Sequence, residues 1–277
     1  MSDNPNRDGG GEFAGKVAIV TGASLDPSIG RSTATKLGRG GAAVVINARN
    51  VDGLRAAEAD LAAMGIPVKT VAGPADDPAV VTALVDAAVD GFGRVDLIVN
   101  TVGGSLGQSP PMAITRESLL DTIALNIWAP VSLVQEAVRR GLADGGGAVV
   151  NISSGTTHKT TPMMIAYAAG KSALNAITRT MARDLGGQGI RVNGVAPGLT
   201  KTSATRPMWE ADDGQSAGAN VPLARFTEAD DIANAVVFLL SDRARQITGV
   251  VIDVDGGNHL QGGGWSPIQQ TTSAAAT

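Results

Sequence analysis

The stretch Val17 to Gly30 reads VAIVTGASLDPSIG, and its reading decides the fold. Val17–Thr21 is apolar up to its last residue, without polar alternation, as expected of a strand covered on both faces. Gly22 follows at once, and Ser28, Ile29 and Gly30 lead into a helical pattern. Glycines between a strand end and a helix start let the backbone approach a pyrophosphate, which the helix's free N–H groups then face. Gly22 and Gly30 are the candidates for that approach, with Ser24 and Ser28 as hydroxyl donors.

Outward from this unit the alternation continues. Further strands are predicted at Ala43–Asn47, Val68–Val71, Val95–Asn100, Ala148–Ile152, Arg191–Ala196 and Val250–Val254. Helices are predicted at Gly30–Leu37, Asp52–Met64, Pro78–Asp90, Glu117–Leu142, Tyr167–Leu185 and Glu228–Leu240. Apolar strands separated by helices imply an α/β fold: a single-domain, doubly wound Rossmann fold with a seven-stranded parallel sheet flanked by helices. Residues 15–260 are expected to form this unit, with a flexible arm at 1–14 and a flexible or oligomer-contacting tail at 261–277. The loosest internal segment, Thr200–Leu223, follows a strand's carboxyl end and suits a mobile flap.

Composition excludes several function classes. Net charge is 22 − 26 = −4, which gives no basic footprint for nucleic acid and no polybasic membrane patch. No apolar run approaches the roughly 20 residues of a membrane span. With no cysteine, disulfides, thiolate metal sites and cysteine nucleophiles are ruled out, and a cytoplasmic location is expected. His158 and His259 are far apart in sequence and offer no metal-ligand spacing, so no metal is expected.

Two further positions carry chemistry. The second strand ends in VVINARN, where Arg49 occupies the tip. A carboxylate there would pair with the 2′-hydroxyl of an adenine ribose, whereas a guanidinium is suited to a 2′-phosphate. NADP(H) is therefore the preferred cofactor, with NAD(H) as the second candidate. The chain's single tyrosine, Tyr167, stands four residues ahead of Lys171, which puts both on one helix face. A phenol of pKa about 10 is a poor proton donor and acceptor at neutral pH. A cation at roughly 4 Å contributes about 4 kcal/mol at an effective dielectric near 20, enough to lower that value by at most roughly 2–3 pH units, with desolvation opposing it.

Together these pieces resemble the short-chain dehydrogenase/reductase family over roughly Lys16 to Gly257. The shared elements are the glycine loop Thr21–Gly30, Asn100 followed by Gly103, and Asn126 in ALNIWAP. NISS at Asn151–Ser154, YAAGK at Tyr167–Lys171, PGLTKT at Pro197–Thr202 and ITGVVIDVDGG at Ile247–Gly257 complete the order. The resemblance implies a catalytic tetrad of Asn126, Ser154, Tyr167 and Lys171. Tyr167 would exchange a proton with a carbonyl or alkoxide oxygen, and Ser154 would steady the charge on that oxygen. Lys171 would depress the phenol and hold the nicotinamide ribose, and Asn126 would hold a water linking Lys171 to solvent. It further implies cofactor contacts from Asn100, Gly103, Pro197, Gly198, Leu199 and Thr202, and a homotetramer or homodimer built through the long helices.

The chain departs from the family pattern in places. Asp26 and Pro27 lengthen the glycine loop, and Ser28 stands where a middle glycine is usual. That loop is similar to those of enoyl-thioester reductases, whose lysine follows seven positions after the tyrosine; here that position is Leu174. The family's aspartate after the third strand is replaced by Pro74. The expected activity is hydride exchange between NADP(H) and a small-molecule ketone or secondary alcohol. The alternatives are an enoyl-thioester reductase and a non-catalytic dinucleotide-binding regulator. Gly104–Pro111, Gly155–Met164 and the Thr200–Leu223 segment are the candidate substrate walls, with Met163, Met164, Met208 and Trp209 as apolar lining.

Overall fold

β-Branched and apolar runs are buried from end to end in the strands that build the centre of this chain. A computed structural model describes residues 11–260, apart from 108, 143 and 220. The strands of the main sheet are β1 (Val17–Thr21), β2 (Ala43–Ala48), β3 (Val68–Ala72), β4 (Leu97–Asn100), β5 (Gly147–Ile152), β6 (Ile190–Pro197) and β9 (Val251–Val254). A small parallel pair, β7 (Thr200–Lys201) and β8 (Thr227–Glu228), lies in the segment between β6 and β9. The helices are α1 (Ile29–Arg39), α2 (Val51–Ala63), α3 (Pro78–Phe92), α4 (Arg116–Ile123), α5 (Ala129–Arg139), α6 (Ile165–Leu185), the short α7 (Gln215–Gly218) and α8 (Ala229–Leu240).

The seven-stranded sheet has the order β3-β2-β1-β4-β5-β6-β9, with every neighbour parallel. Alternate side chains of each strand face opposite layers. Ala18, Val20, Val44, Ile46 and Val99 pack with Leu37, Leu61 and Ile232 of α1, α2 and α8. Val17, Ile19, Val45, Ile98 and Val149 pack with Leu84, Leu133 and Ala182 of α3, α5 and α6. The order reverses direction between β1 and β4, so a crevice opens at the carboxyl ends of these strands. Local chemistry starts the helices that border it. Ser28 caps α1 by accepting from Arg31 N, Asn50 caps α2 by accepting from Gly53 N, and Asp77 caps α3 with Pro78 in its first turn.

Three sequence expectations change. Phe13, assigned to the arm, is only 3 % exposed and packs into the core, its ring against Gly40 and its N–H bonded to Gly40 O. An aromatic ring of that size is too costly to leave in water. Residues 1–10 of the expected arm, and the expected tail at 261–277, lie outside the described residues. The single helix expected over Glu117–Leu142 is broken by a π-helical turn, Ala124–Trp128. Asn126 sits in that turn, and its Nδ2 donates both to Thr122 O (2.7 Å) and to Gly104 O (2.8 Å), drawing the backbone out of regular α pitch. Finally, His158 and His259 come together, with ring centroids 6.2 Å apart. Each faces a carboxylate, Asp253 and Asp255 respectively. Among the described residues no group of histidines and carboxylates could hold a metal ion, and no helix is long and apolar enough to cross a membrane.

Candidate active site

Two regions meet at the carboxyl end of the sheet. The first is a cleft of about 830 Å³ lined by Gly22, Ser24, Ser28, Ile29 and Gly30 on one wall and by Arg49 and Asn50 at one end. Thr101, Val102 and Gly103 form its floor, and Thr202, Ser203 and Ala204 its far wall. Gly22 has φ +68°, a left-handed conformation that glycine adopts without strain. A Cβ at Gly30 would stand 2.5 Å from Gly22 O, so the two glycines pack backbone to backbone. Thr21 ties the floor down, its Oγ1 accepting from Thr101 N at 3.1 Å and Val102 N at 3.3 Å. Ser28 Oγ is occupied as a cap acceptor, which leaves its hydrogen for an anion.

The lengthened glycine loop has a definite place. Asp26 is exposed and directs no side chain into the cleft wall. The backbone of Asp26–Pro27 instead reaches across to the segment after β7. Ser203 N donates to Pro27 O at 2.9 Å, and Ser203 Oγ donates to Asp26 O at 3.0 Å. The segment after β7 and the glycine loop are thus joined, and Pro27 and Ser203 both line the cleft.

Asn47, one residue before the strand tip, went unnoticed in the sequence. It is fully buried in this cleft's wall, and its Nδ2 donates to Val71 O and Gly73 O while its Oδ1 has no partner. A buried acceptor without a donor is costly unless something supplies one. The only sequence signal was an amide in an otherwise apolar run.

The second region holds the four expected catalytic side chains. Lys171 lies on α6, 2 % exposed, and its Nζ donates to Ile152 O at 2.8 Å. Tyr167 stands one turn earlier, half-buried, with its ring centroid 5.7 Å from that ammonium. Ser154, two residues beyond the end of β5, sits near enough to the phenol for its hydroxyl to favour the ionised form. The neighbouring Ser153 is buried and spends its hydroxyl on Asn175 Oδ1 at 2.5 Å, so Ser154 is the serine that faces the site. Asn126 adjoins Lys171 across Gly103: a Cβ at 103 would lie 2.4 Å from Lys171 Nζ and 2.8 Å from Asn126 Oδ1. Both Asn126 amide hydrogens go to backbone carbonyls, and its Oδ1 accepts from Gly104 N at 3.3 Å. Asn126 therefore holds the helix break and the Gly103–Gly104 turn in place.

The remaining expected contacts divide. Asn100 turns its side chain into the sheet, Nδ2 donating to Asn151 Oδ1 at 2.8 Å, and Asn151 continues to Thr178. It braces β4 against β5 and does not line the cleft. Pro197 is buried at the end of β6, and Gly198 is pinned by its N–H to Val254 O with no space for a side chain beside Asp255. Leu199 is 43 % exposed, and Thr202 O accepts from the Trp209 indole at 3.1 Å, securing the flap.

The electrostatics differ from the expectation that the lysine lowers the phenol. Burial raises the Tyr167 pKa above its ordinary value, opposed by the hydrogen bond from Ser154. Burial also lowers Lys171 from 10.5 to about 8. The cost of taking the phenolate out of water outweighs what the neighbouring ammonium returns. At neutral pH Tyr167 is a neutral phenol that carries its proton.

The Lys171 value has a consequence for stability. Between pH 8 and 10.5 the amine is protonated in the unfolded chain and increasingly neutral in the folded one. The unfolded state then binds more protons, so stability from this group rises with pH across that window. Below pH 8 the folded protein bears the full desolvation cost, about 3 kcal/mol. Lys171→Met is expected to be about 1–3 kcal/mol more stable than wild type at pH 7, with the gain shrinking at pH 10. Thermal melts of both proteins at the two pH values test this; a gain that is equal at both would contradict it.

Comparison with known proteins agrees with this geometry. A family model described as Enoyl-(Acyl carrier protein) reductase matches residues 22–259. An uncharacterized oxidoreductase of Methylorubrum extorquens is 41 % identical over 252 residues, covering 89 % of this chain and 98 % of the relative. The 3-oxoacyl-[acyl-carrier-protein] reductase of Escherichia coli is 35 % identical over 259 residues, covering 90 % and 99 %. A solved 7α-hydroxysteroid dehydrogenase, complexed with NADH and 7-oxo glycochenodeoxycholic acid, superposes with TM-score 0.82 at 31 % identity, covering 88 % and 94 %. With a parallel seven-stranded sheet, a glycine-lined crevice and a Ser–Tyr–Lys cluster at its carboxyl end, the chain belongs to the short-chain dehydrogenase/reductase family.

Proposed function

We propose that this chain is an NADP(H)-preferring oxidoreductase that interconverts a ketone and a secondary alcohol, with Tyr167 as general acid and base. The observation that carries the reading is the cluster at the carboxyl ends of β4 and β5. It holds one phenol, kept neutral by burial, with a serine hydroxyl beside it and an ammonium one helical turn away. The names of similar proteins, a 3-oxoacyl thioester reductase and a hydroxysteroid dehydrogenase, support a carbonyl and alcohol pair as the reactants.

The cleft fits a nicotinamide dinucleotide. Bare backbone at Gly22 and Gly30 leaves room for a pyrophosphate, and the cap of α1 presents N–H groups to it. When bound, the nicotinamide supplies or accepts the hydride. All other functions fall to the chain itself. Ser154 donates to the carbonyl oxygen and stabilises the charge that develops there. Tyr167 gives its proton to that oxygen in reduction and takes it back in oxidation. Lys171, steadied by Ile152 O, holds the ribose and keeps positive charge beneath the phenol, while Asn126 and Gly103 fix the place of Lys171. Leu106, which lines the cleft, and Met163, Leu199 and Met208, on the segments after β5 and β6, are exposed apolar side chains that support an apolar substrate. The unit that starts with Phe13 and runs to 260 acts as one catalytic domain of a cytoplasmic homo-oligomer, a tetramer or dimer joined through α4, α5 and α6, which size-exclusion chromatography with light scattering tests.

NADPH consumption against diketones, 3-oxoacyl thioesters, aromatic ketones and enoyl thioesters tests the reading. Turnover of a ketone with none of the enoyl thioester supports it, and the reverse establishes enoyl reduction. The glycine-loop form and the matching family model's description keep that second reading in view, although Leu174 occupies the position where such enzymes carry lysine.

The NADP preference rests on Arg49, exposed at one end of the cleft and without an ion pair among the described residues. Arg49→Asp is expected to shift the NADPH to NADH ratio of kcat/KM by about 10²-fold towards NADH, through loss of a charge-assisted pair and gain of repulsion. An unchanged ratio removes the argument.

A further inference from the structure

We propose that Thr156 is a positioning residue for this reaction, because its hydroxyl and its amide both donate to Ser154 Oγ and leave the serine only its own hydrogen to give. The inference rests on the proposed reading of the site as a carbonyl-reducing centre. Thr156 Oγ1 lies 3.0 Å from Ser154 Oγ, and Thr156 N lies 3.2 Å from it. A serine oxygen has two acceptor lone pairs and one O–H. With both lone pairs filled, Ser154 cannot accept a hydrogen bond from the Tyr167 phenol. It can only donate, to the phenol oxygen or to a reacting oxygen.

That one-way arrangement matches what the chemistry needs. A serine free to rotate spends part of its time accepting from the phenol, which holds the transferable proton back. A serine loaded with two donated hydrogen bonds is polarised into a better donor, because hydrogen bonds in a chain strengthen one another. The direction is consistent at the next link, where the Ser154 hydrogen bond lowers the Tyr167 pKa against the desolvation that raises it.

A simple turn-forming role does not account for the hydroxyl. Ser154 caps the short 3₁₀ turn Gly155–Thr157 by accepting from the Thr156 amide, which any residue except proline supplies. Thr157, the neighbouring threonine, bonds only the Ser154 main-chain carbonyl, at 2.9 Å. Thr156 alone adds a side-chain donor to the Ser154 oxygen. It is half-buried, on the loop that leaves β5 towards the substrate side.

The test uses the fact that Tyr167 is the chain's only tyrosine, so tyrosinate absorbance titrates one group. Thr156→Val keeps the amide and the branched shape but loses the hydroxyl. Its phenol midpoint is expected to rise by about 0.3–1 pH unit, and its kcat for ketone reduction to fall about three- to tenfold with KM for NADPH unchanged. Thr156→Ser is expected to restore both. In a Ser154→Ala background, where the midpoint is already raised, adding Thr156→Val is expected to change nothing further, since the effect travels through Ser154. Circular dichroism across the titration range confirms that the folded state is being read. An unmoved midpoint in Thr156→Val, or the same rise with and without Ser154, overturns the proposal. Wild type that binds NADPH but reduces no ketone refutes the carbonyl-reducing reading instead, while the titration still decides the link between Thr156 and the phenol.

Discussion

Tyr167→Phe is expected to lose about 10³-fold in turnover while binding NADPH within about threefold of wild type. General acid catalysis by a positioned side chain contributes about 10²–10⁴-fold, so a thousandfold loss corresponds to about 4 kcal/mol of transition-state stabilisation. No neighbour can substitute. Ser154 is too weak an acid, and Lys171 is bonded to Ile152 O with its ammonium 5.7 Å from the ring centroid. His158 is exposed and faces Asp253. The phenylalanine ring keeps the shape of the site and removes a hydroxyl whose ionised form burial disfavours. Single-turnover reduction and NADPH fluorescence titration separate chemistry from binding. A variant within threefold of wild type in turnover would remove Tyr167 from the acid role.

Gly103→Val is expected to lower kcat about 10²-fold, through residues that the substitution does not chemically alter. The first atom of any side chain at 103 would meet Lys171 Nζ at 2.4 Å, Asn126 Oδ1 at 2.8 Å and Lys171 Cε at 3.2 Å. Lys171 is buried along its length, so its ammonium cannot swing into water; it has to give up Ile152 O or push Asn126 out of the helix break. Displacements near 1 Å at a reacting centre cost about a hundredfold, and overpacking of this kind costs about 1–3 kcal/mol of stability. Gly104 is the control, because a Cβ there meets nothing within 4 Å. Gly104→Ala is expected to melt within a few degrees of wild type and to keep most activity. Equal losses at both positions would mean that turn flexibility, and not contact with Lys171, is at stake.

The features of this protein that were legible in the sequence are those set by local pattern. β1 begins and ends where the apolar run Val17–Thr21 does, because a strand covered on both faces leaves no polar residue to blur its edges. Arg49 and the glycine pair fall on the cleft for the same reason: a strand end followed by a tight turn has one place to go in a parallel sheet. What stayed hidden depends on contacts between distant residues. Asn126 breaks its helix only because Gly104 O is there to receive its amide. Phe13 reads as a piece of an arm because its neighbour, Gly40, lies a strand and a helix further along the chain. The two histidines meet because His158 follows β5 and His259 follows β9, two strands apart in the sheet with β6 between them. The sign of the Tyr167 perturbation was misjudged because spacing reports proximity of charge but not the loss of water around it.

The junction between Ser203 and the Asp26–Pro27 backbone ties together two segments that both line the cleft, through Pro27 on one side and Ser203 on the other. Separating the two segments breaks a pair of hydrogen bonds, each worth about 0.5–1.5 kcal/mol net. The two residues that lengthen this chain's glycine loop thus fasten it to the segment after β7, so that two walls of the cleft move as one piece.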